Sequence, residues 1–152
     1  MHYSYSFIYH PSLLRMHHII YLSWATISFT NAQLDRLLTG ARRRNTELAV
    51  TGILFYGNGR FLQVLEGEEE IVQEIYAHIK RDPRHGNILT FANKPIAERA
   101  FKEWAMAFQP LASQQFEDIV AYLGPPDVPV NTAGLSDTDR HLFDLLRAFV
   151  LP

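Results

Sequence analysis

Residues 59–67 of the chain read GRFLQVLEG, a stretch whose apolar side chains predict a buried strand over residues 60–66. Residues 51–56, just before it, have the same strand-like character. Between them stand Gly57, Asn58 and Gly59, and a turn that needs positive φ angles favours Gly and Asn. The sequence therefore predicts a β-hairpin, around which the other elements can be placed.

Strand and helix patterns alternate on both sides of this hairpin. Further strands are predicted at residues 17–24, 88–93 and 104–109, and helices at residues 29–45 and 68–81. Thr30 and Gln33 have the spacing of a capping box at the start of the first helix. Asp82 precedes Pro83 and therefore avoids helical angles, which ends the second helix. In the tail we expect a helix at 113–123, a proline-rich connector at 124–130 and a last helix that begins at Ser136.

This order of elements predicts an α+β fold, a ferredoxin-like sandwich with the order βαββαββ. The strands are apolar on both faces, since Ile19 and Tyr21 point one way and Ile20 and Leu22 the other. Such a sheet needs cover on both sides. We therefore expect the first two helices on one face and additional C-terminal helices packed on the other face. The predicted divisions are an N-terminal extension at 1–15, a central domain at 16–110 and a C-terminal helical cap at 111–152.

Composition narrows the class of protein. The 152 residues suffice for one domain, and 47% of them are hydrophobic and 20% charged, which is the balance of a globular protein. The formal net charge of −2 does not indicate the basic surface that nucleic-acid binding requires. The chain has no cysteine, which excludes disulfides and thiolate catalysis and suits a cytoplasmic protein. No apolar run approaches the length of a membrane span, and the first fifteen residues make a poor signal peptide. Met16 is a possible alternative start.

Three polar residues occupy positions that the apolar pattern assigns to the core. Asn45 continues the buried stripe of the first helix, Gln63 shares a strand face with Phe61 and Leu65, and Tyr21 shares one with Ile19. A buried amide without a partner costs about 1–3 kcal/mol, so each of them should have hydrogen-bonding partners. Two explanations stay open: the residues bond to one another or to backbone, or they face a polar ligand between helices and sheet, such as a flat heteroaromatic ring.

Other kinds of site find little support. The histidines lack the spacing of a metal site, no serine lies in a nucleophile elbow, and the glycine-rich turn joins two strands instead of opening a helix. Arg42, Arg43 and Arg44 are consecutive and cannot all face one way. One or two of them could hold a phosphate.

Short runs follow one another along the chain, namely IYLS at 20–23, AR at 41–42 with Asn45, VTG at 50–52, GRFLQVLEG at 59–67, DPRH at 82–85, PI at 95–96, RAF at 99–101 and WAM at 104–106. In these runs and their order the chain resembles the BLUF family, the sensors of blue light using flavin, over about residues 16–110. The sequence departs from the family at Arg44, where Asn or His is common, and at Ala105, where Ser is common.

The resemblance implies a non-covalently bound flavin, FAD or alternatively FMN or riboflavin, between the two helices. It gives Tyr21 the role of electron and proton donor to the excited flavin and places Gln63 between Tyr21 and the flavin, where its amide rearranges after light. Trp104 and Met106, on one face of the fifth strand, would relay that change to the tail helices. The residues implied to bind the flavin are Asn45, Gln63, Arg84, His85, Asp82, Arg44, Ser23 and Ile79.

The function implied is a cytoplasmic blue-light photoreceptor that is not an enzyme. No cyclase or phosphodiesterase domain follows in this sequence, so we expect the signal to leave through a downstream effector protein or a change of homo-oligomer, without nucleic acid or membrane partners. One alternative is a ferredoxin-like module that binds another small ligand, and a colourless purified protein would favour it. The other is a flavin-dependent reductase, which rapid bleaching with NADH would favour.

Overall fold

A computed structural model describes residues 15–102 and 104–123 of the chain. The elements follow the predicted order of strand, helix, two strands, helix, two strands and helix. They are β1 (Met16–Ala25), α1 (Asn31–Glu47), β2 (Thr51–Gly57), β3 (Arg60–Glu68), α2 (Glu69–Arg81), β4 (His85–Pro95), β5 (Ala107–Pro110) and α3 (Ser113–Leu123). Residues 1–14 of the predicted extension at 1–15, the connector at 124–130 and the last predicted helix lie outside the described residues. The predicted domain divisions stay predictions.

The five strands form one mixed sheet in the order β4-β1-β3-β2-β5. All neighbouring pairs are antiparallel except β2 and β5, which run parallel. The hairpin between β2 and β3 is confirmed, and its turn has positive φ angles of 51° at Asn58 and 71° at Gly59. The α+β fold with helices packed on the sheet is therefore confirmed.

The structure confirms the capping and stop residues that were predicted at the helix ends. Thr30 caps α1 and exchanges both hydrogen bonds of a capping box with Gln33. Helix α2 has Glu69 and Glu70 in its first turn and basic residues in its last, as the helix dipole favours. Asp82 takes extended angles before Pro83, so α2 ends at Arg81 as predicted.

Both faces of the sheet carry a hydrophobic core, as the doubly apolar strands predict. Ile19 and Tyr21 lie in the core beneath α1 and α2, together with Leu34 and Leu38 of α1 and Ile75 of α2. Ile20 and Leu22 lie in the core of the opposite face, which Phe116 and Ile119 of α3 cover. Helix α3 is also held by an ion pair between Arg60 of β3 and Glu117.

The fifth strand is shorter than predicted. It begins at Ala107, which pairs with Ile53, so Trp104 and Met106 precede the strand instead of lying in it. The reason is tertiary: two successive carbonyls, those of Ala105 and Met106, accept hydrogen bonds from side chains of α1. The regular ladder with β2 begins beyond them, at Ala107.

Candidate functional site

A cleft of about 1040 Å³ opens between α1 and the C-terminal end of α2, with the sheet as its floor. The floor is made by Tyr21, Leu54, Phe61 and Gln63, and one wall by a stripe of α1 that includes Leu37, Gly40 and Arg44. Ile79 and the segment around Asp82, Arg84 and His85 form the opposite wall. The volume lies just above the range typical of sites that bind small molecules and cofactors, about 300–1,000 Å³.

Tyr21 and Gln63 are directly opposed on β1 and β3, which are paired in antiparallel register. Both are buried, with 1% and 4% of their surface exposed. The Tyr21 hydroxyl donates a hydrogen bond to Oε1 of Gln63. The other end of the amide, Nε2, donates to Sδ of Met106 at 3.5 Å. The two polar residues therefore partner each other and reach, through one amide, the segment that precedes β5.

Burial raises the pKa of the Tyr21 phenol above its ordinary value, and the neighbouring hydroxyl of Tyr76 adds to this shift. The Tyr21 ring lies 5.2 Å from the Tyr76 ring, centroid to centroid. Tyr21 is consequently neutral at any physiological pH and holds its proton in the bond to Gln63.

Trp104 and Met106 do not share a face, contrary to the alternation predicted from the sequence. Met106 is buried in the core beneath α1 and α2, beside Tyr21. Trp104 packs against the core of the opposite face and stacks on Phe101, with 5.7 Å between ring centroids. The alternation fails because residues 104–106 are not in a strand, and a period of two applies only to extended strand backbone.

Three successive carbonyls of this segment are held by donors from other elements. The carbonyl of Trp104 accepts from the Gly52 amide at 3.0 Å. Those of Ala105 and Met106 accept from Nδ2 of Asn45 at 2.8 Å and from Nε of Arg42 at 2.9 Å. The backbone on either side of Met106 is thus fixed by α1 and β2, while its side chain is held by Gln63.

Asn45 is fully buried, as its place in the apolar stripe predicts. Its amide is used within the protein, since Nδ2 donates to Ala105 and Oδ1 accepts from Nε of Arg44 at 3.3 Å. Asn45 does not line the cleft. Its implied contact with a flavin stays a prediction.

The segment after α2 brings Asp82, Arg84 and His85 to the cleft as predicted. Arg84 pairs with Asp82 at 2.6 Å, and the hydrogen bonds from Arg84 hold the pKa of that carboxyl below its ordinary value. His85 bonds through Nδ1 to Oγ of Ser23 at 2.7 Å, and burial lowers its pKa. Ser23 itself is buried behind His85 and does not line the cleft.

Glu66 is a residue whose role was missed in the sequence. It is fully buried in β3, and its carboxylate accepts from the backbone amides of Ala100 at 2.9 Å and Phe101 at 2.6 Å. The Thr51 hydroxyl donates to it as well, at 2.9 Å. Glu66 therefore fastens the connection between β4 and β5 to the sheet. The available signal was a carboxylate in a largely apolar strand, and a carboxylate needs partners when it is buried.

Within residues 15–102 and 104–123, no group of three or more His, Asp or Glu side chains could hold a metal ion. In the same part of the chain, no helix has the length and apolar character needed to cross a membrane.

Comparison with known proteins finds relatives that share this domain. A photoactivated adenylate cyclase subunit beta of Euglena longa is 39% identical over 89 residues, which are 58% of this chain and 10% of that protein. The blue light- and temperature-regulated antirepressor BluF of Escherichia coli (strain K12) is 34% identical over 119 residues, which are 78% of this chain and 29% of that protein. The chain thus spans less than a third of either relative.

Solved structures show the same fold over most of the chain. The dark state of BlrB, a BLUF protein, superposes with a TM-score of 0.69 at 25% identity and covers 90% of this chain and 98% of that one. The photo-activated state of BlsA gives a TM-score of 0.67 at 26% identity over 90% of this chain and 96% of that one.

The family model described as sensors of blue-light using FAD matches residues 16–107, which is more than half of the chain. Flavin binding is the common feature of that family, and the matched residues include both halves of the cleft and the Tyr21–Gln63–Met106 contacts. The chain therefore belongs to the BLUF family, the sensors of blue light using FAD.

Proposed function

We propose that this chain is a photosensory module that binds its flavin in the cleft between α1 and α2 and signals through Gln63 and Met106, without catalysing a reaction. The observation that carries the proposal is the continuous chain of hydrogen bonds from Tyr21 through Gln63 to Met106 at the floor of that cleft.

The residues of the cleft fit a flavin. Leu37, Leu54 and Ile79 supply apolar surface for a flat ring, and Gln63 supplies a polar group at the floor. Gly40 gives a separate indication, because a Cβ added there would meet no atom within 4 Å. A glycine inside a helix costs roughly 1 kcal/mol relative to alanine, and here no protein neighbour requires it. Space left open at the wall of a cleft is what a closely approaching ligand needs.

A bound flavin supplies the absorption of blue light and an electron acceptor. Tyr21 can supply the electron. Its phenol is neutral, and a phenol that gives up an electron also gives up its proton readily. Oε1 of Gln63 already accepts the hydrogen bond from Tyr21. The first proton movement within the protein would therefore run along that bond, from Tyr21 toward Gln63. Until its electron and proton return, Tyr21 would no longer donate the hydrogen bond that orients the amide of Gln63.

Rotation of the Gln63 amide would exchange the positions of its oxygen and its nitrogen. Oε1 would then face the sulfur of Met106, and a thioether has no hydrogen to donate. The contact at 3.5 Å between Gln63 and Met106 would be lost, and the Met106 side chain would be free to repack. The same rotation would change which hydrogen bonds Gln63 offers to the cleft, and we therefore expect a small red shift of the absorption.

The change at Met106 has a short path to the surface. Met106 is followed at once by β5, and Leu111 after β5 donates its amide to the Tyr56 carbonyl at 2.9 Å before α3 begins. Repacking of Met106 would shift the population between two placements of β5 and α3. We propose that an effector protein, or a second copy of the chain, reads that shift in the cytoplasm.

The test is the absorption spectrum of the purified full chain, in the dark and immediately after blue light. The proposal predicts a flavin spectrum that shifts slightly to the red and recovers in darkness. Bleaching that persists in the presence of NADH would indicate a flavin reductase instead. A protein that takes up no flavin even after reconstitution would contradict the proposal.

A further inference from the structure

We infer that Lys80 is a positioning residue of the light reaction, because its charge lies over the ring of Tyr76 and keeps the loss of an electron confined to Tyr21. This role rests on the proposed function, in which Tyr21 gives up an electron and a proton after light. It adds the reason why a second phenol beside Tyr21 stays out of the reaction. Three contacts of Tyr76 carry it.

Tyr76 has the same phenol as Tyr21 and lies in contact with it. Tyr76 belongs to α2, is 2% exposed and does not line the cleft, so it lies behind the floor that Tyr21 helps to form. The centroids of the two rings are 5.2 Å apart. Two rings in contact can exchange an electron, and two phenols are equally easy to oxidise unless their surroundings differ. An electron lost from Tyr21 could therefore be replaced from Tyr76.

This exchange would work against a reversible photoreceptor. One electron and one proton would leave Tyr76 and restore Tyr21, so the O–H bond of Tyr76 would break and that of Tyr21 would form again. The oxidised residue would then be a side chain that does not line the cleft. Return of the electron and the proton from the cleft would be slower, and the dark state would be restored late.

Lys80 makes the surroundings of the two phenols unequal. It lies one turn after Tyr76 on α2, and its Nζ is 4.6 Å from the centroid of the Tyr76 ring. A cation is attracted to the electron-rich face of an aromatic ring, and this attraction weakens when the ring gives up an electron. Lys80 makes no ion pair with the part of the chain that the structure describes, so no carboxylate there offsets its charge. The contact therefore opposes oxidation of Tyr76.

Tyr21 has no cation over its ring among the described residues. Burial is the main cause of the raised pKa of its phenol, and the charges of Arg44 and Asp82 act on that pKa in opposite directions. The charge of Lys80 is therefore what distinguishes Tyr76 from Tyr21.

The hydrogen bonds of the two hydroxyl groups favour the same outcome. The hydroxyl of Tyr76 is bonded to Oγ1 of Thr90, whereas that of Tyr21 donates to Oε1 of Gln63. An oxidised phenol loses its proton, and an alcohol oxygen accepts a proton less readily than an amide oxygen does. Thr90 thus offers Tyr76 a poorer acceptor than Gln63 offers Tyr21.

Transient absorption of the flavin-loaded full chain tests the role of Lys80. After a flash of blue light, the absorption of oxidised tyrosine should decay almost entirely in one phase in the wild type, because Tyr21 carries the oxidation. Lys80→Gln removes the charge and keeps a good helix former. The share of a second, slower phase should then rise about two- to fivefold, the factor that corresponds to a cation–π contact at an exposed site.

Four further variants assign the slower phase. Lys80→Gln combined with Tyr76→Phe should lose it, because a phenyl ring is far harder to oxidise than a phenol, and Tyr76→Phe alone should decay like the wild type. A general disturbance of the fold by Lys80→Gln would not be corrected in this way. Lys80→Arg keeps the cation and should also decay like the wild type. Lys102→Gln is the matched control, because Lys102 is exposed and does not line the cleft, and it should change nothing.

Nuclear magnetic resonance in the dark tests the contact itself, independently of the light reaction. The methylene protons of Lys80 next to Nζ should be shifted upfield by the ring current of Tyr76. The shift should persist in Tyr76→Phe, which keeps a ring, and vanish in Tyr76→Leu. Absence of the upfield shift in the wild type would overturn the role of Lys80.

The outcomes separate this role from the proposed function. A Lys80→Gln chain whose tyrosine signal decays like that of the wild type, or a slower phase that Tyr76→Phe does not remove, would overturn the role of Lys80 and leave the photoreceptor intact. A wild type that binds flavin but shows no oxidised tyrosine after the flash would overturn the proposed role of Tyr21 together with that of Lys80.

Discussion

Nε2 of Gln63 donates to Sδ of Met106 at 3.5 Å, and this contact joins the polar pair at the floor of the cleft to the segment that precedes β5. Sulfur is a weak acceptor, so the contact stabilises one arrangement by little. A weak contact between buried groups suits a switch, because a change in one amide is enough to break it. The contact also predicts separate roles for the two residues: Gln63 changes the absorption, and Met106 passes the change to β5 and α3.

Replacing Met106 with leucine should uncouple the two roles. Leucine has nearly the same volume, so we expect a cost below about 1.5 kcal/mol in stability, but it cannot accept the hydrogen bond from Gln63. The red shift after light should persist, while the change in amide hydrogen exchange of β5 and α3 should be lost. A Met106→Leu protein whose β5 and α3 respond to light like the wild type would contradict a relay through the sulfur.

Gly40→Ala tests whether the open space on α1 is kept for the ligand. Without flavin the variant should be more stable by about 0.5–1 kcal/mol in urea unfolding, because alanine is a better helix former and a Cβ at this position meets nothing. With flavin that gain should shrink or reverse, since the added methyl group projects into the cleft. Thr39→Ala, on an exposed position of α1, is the control and should not change flavin affinity. Equal flavin affinity in wild type and Gly40→Ala would exclude a close approach at Gly40.

Glu66→Ala should be strongly destabilising. The substitution leaves the buried amides of Ala100 and Phe101 without their acceptor, and each unsatisfied group costs about 1–3 kcal/mol. We expect a loss of about 3 kcal/mol in the free energy of unfolding, measured with urea. Glu68→Ala is the matched control two residues further along β3, where the side chain makes no cap hydrogen bond, and it should cost under about 0.5 kcal/mol. Similar losses for both variants would mean that the carboxylate of Glu66 does not hold the connection to β5.

Acid should destabilise the protein through His85. Burial lowers the pKa of His85 below 6.5, so the unfolded chain binds more protons than the folded one as the pH falls below that value. The stability contributed by neutral His85 is therefore complete above about pH 6.5 and is lost on acidification, by no more than about 1.4 kcal/mol per pH unit. The measurement is urea unfolding of wild type and His85→Asn at several pH values. A difference between the two proteins that stays constant from neutral to acidic pH would contradict the assignment.

The periodicity of apolar residues was sufficient to predict the buried side chains of the site that lie in regular strands and helices. The alternation along β1 and β3 predicted that Tyr21 and Gln63 are buried, and antiparallel pairing then brings them together. The capping box at Thr30 and the stop at Asp82 were predicted correctly because both are local signals.

Residues 100–101 and 104–106 could not be placed in this way, because their positions depend on distant partners. Glu66, Gly52, Asn45 and Arg42 each hold a backbone group of this segment, and none of them is a neighbour in sequence. A strand pattern was therefore a poor guide to Trp104 and Met106, which the structure places on opposite faces of the sheet.

The most direct test of the central claim is the light-minus-dark absorption difference of wild type, Gln63→Leu and Tyr21→Phe, recorded under the same conditions. Both variants should bind flavin and lose the red shift, the first because leucine has no amide to rearrange and the second because phenylalanine has no proton to donate. Gln73→Leu, the same substitution on the side of α2 away from the cleft, should keep it. A normal, reversible red shift in Gln63→Leu or in Tyr21→Phe would contradict the account.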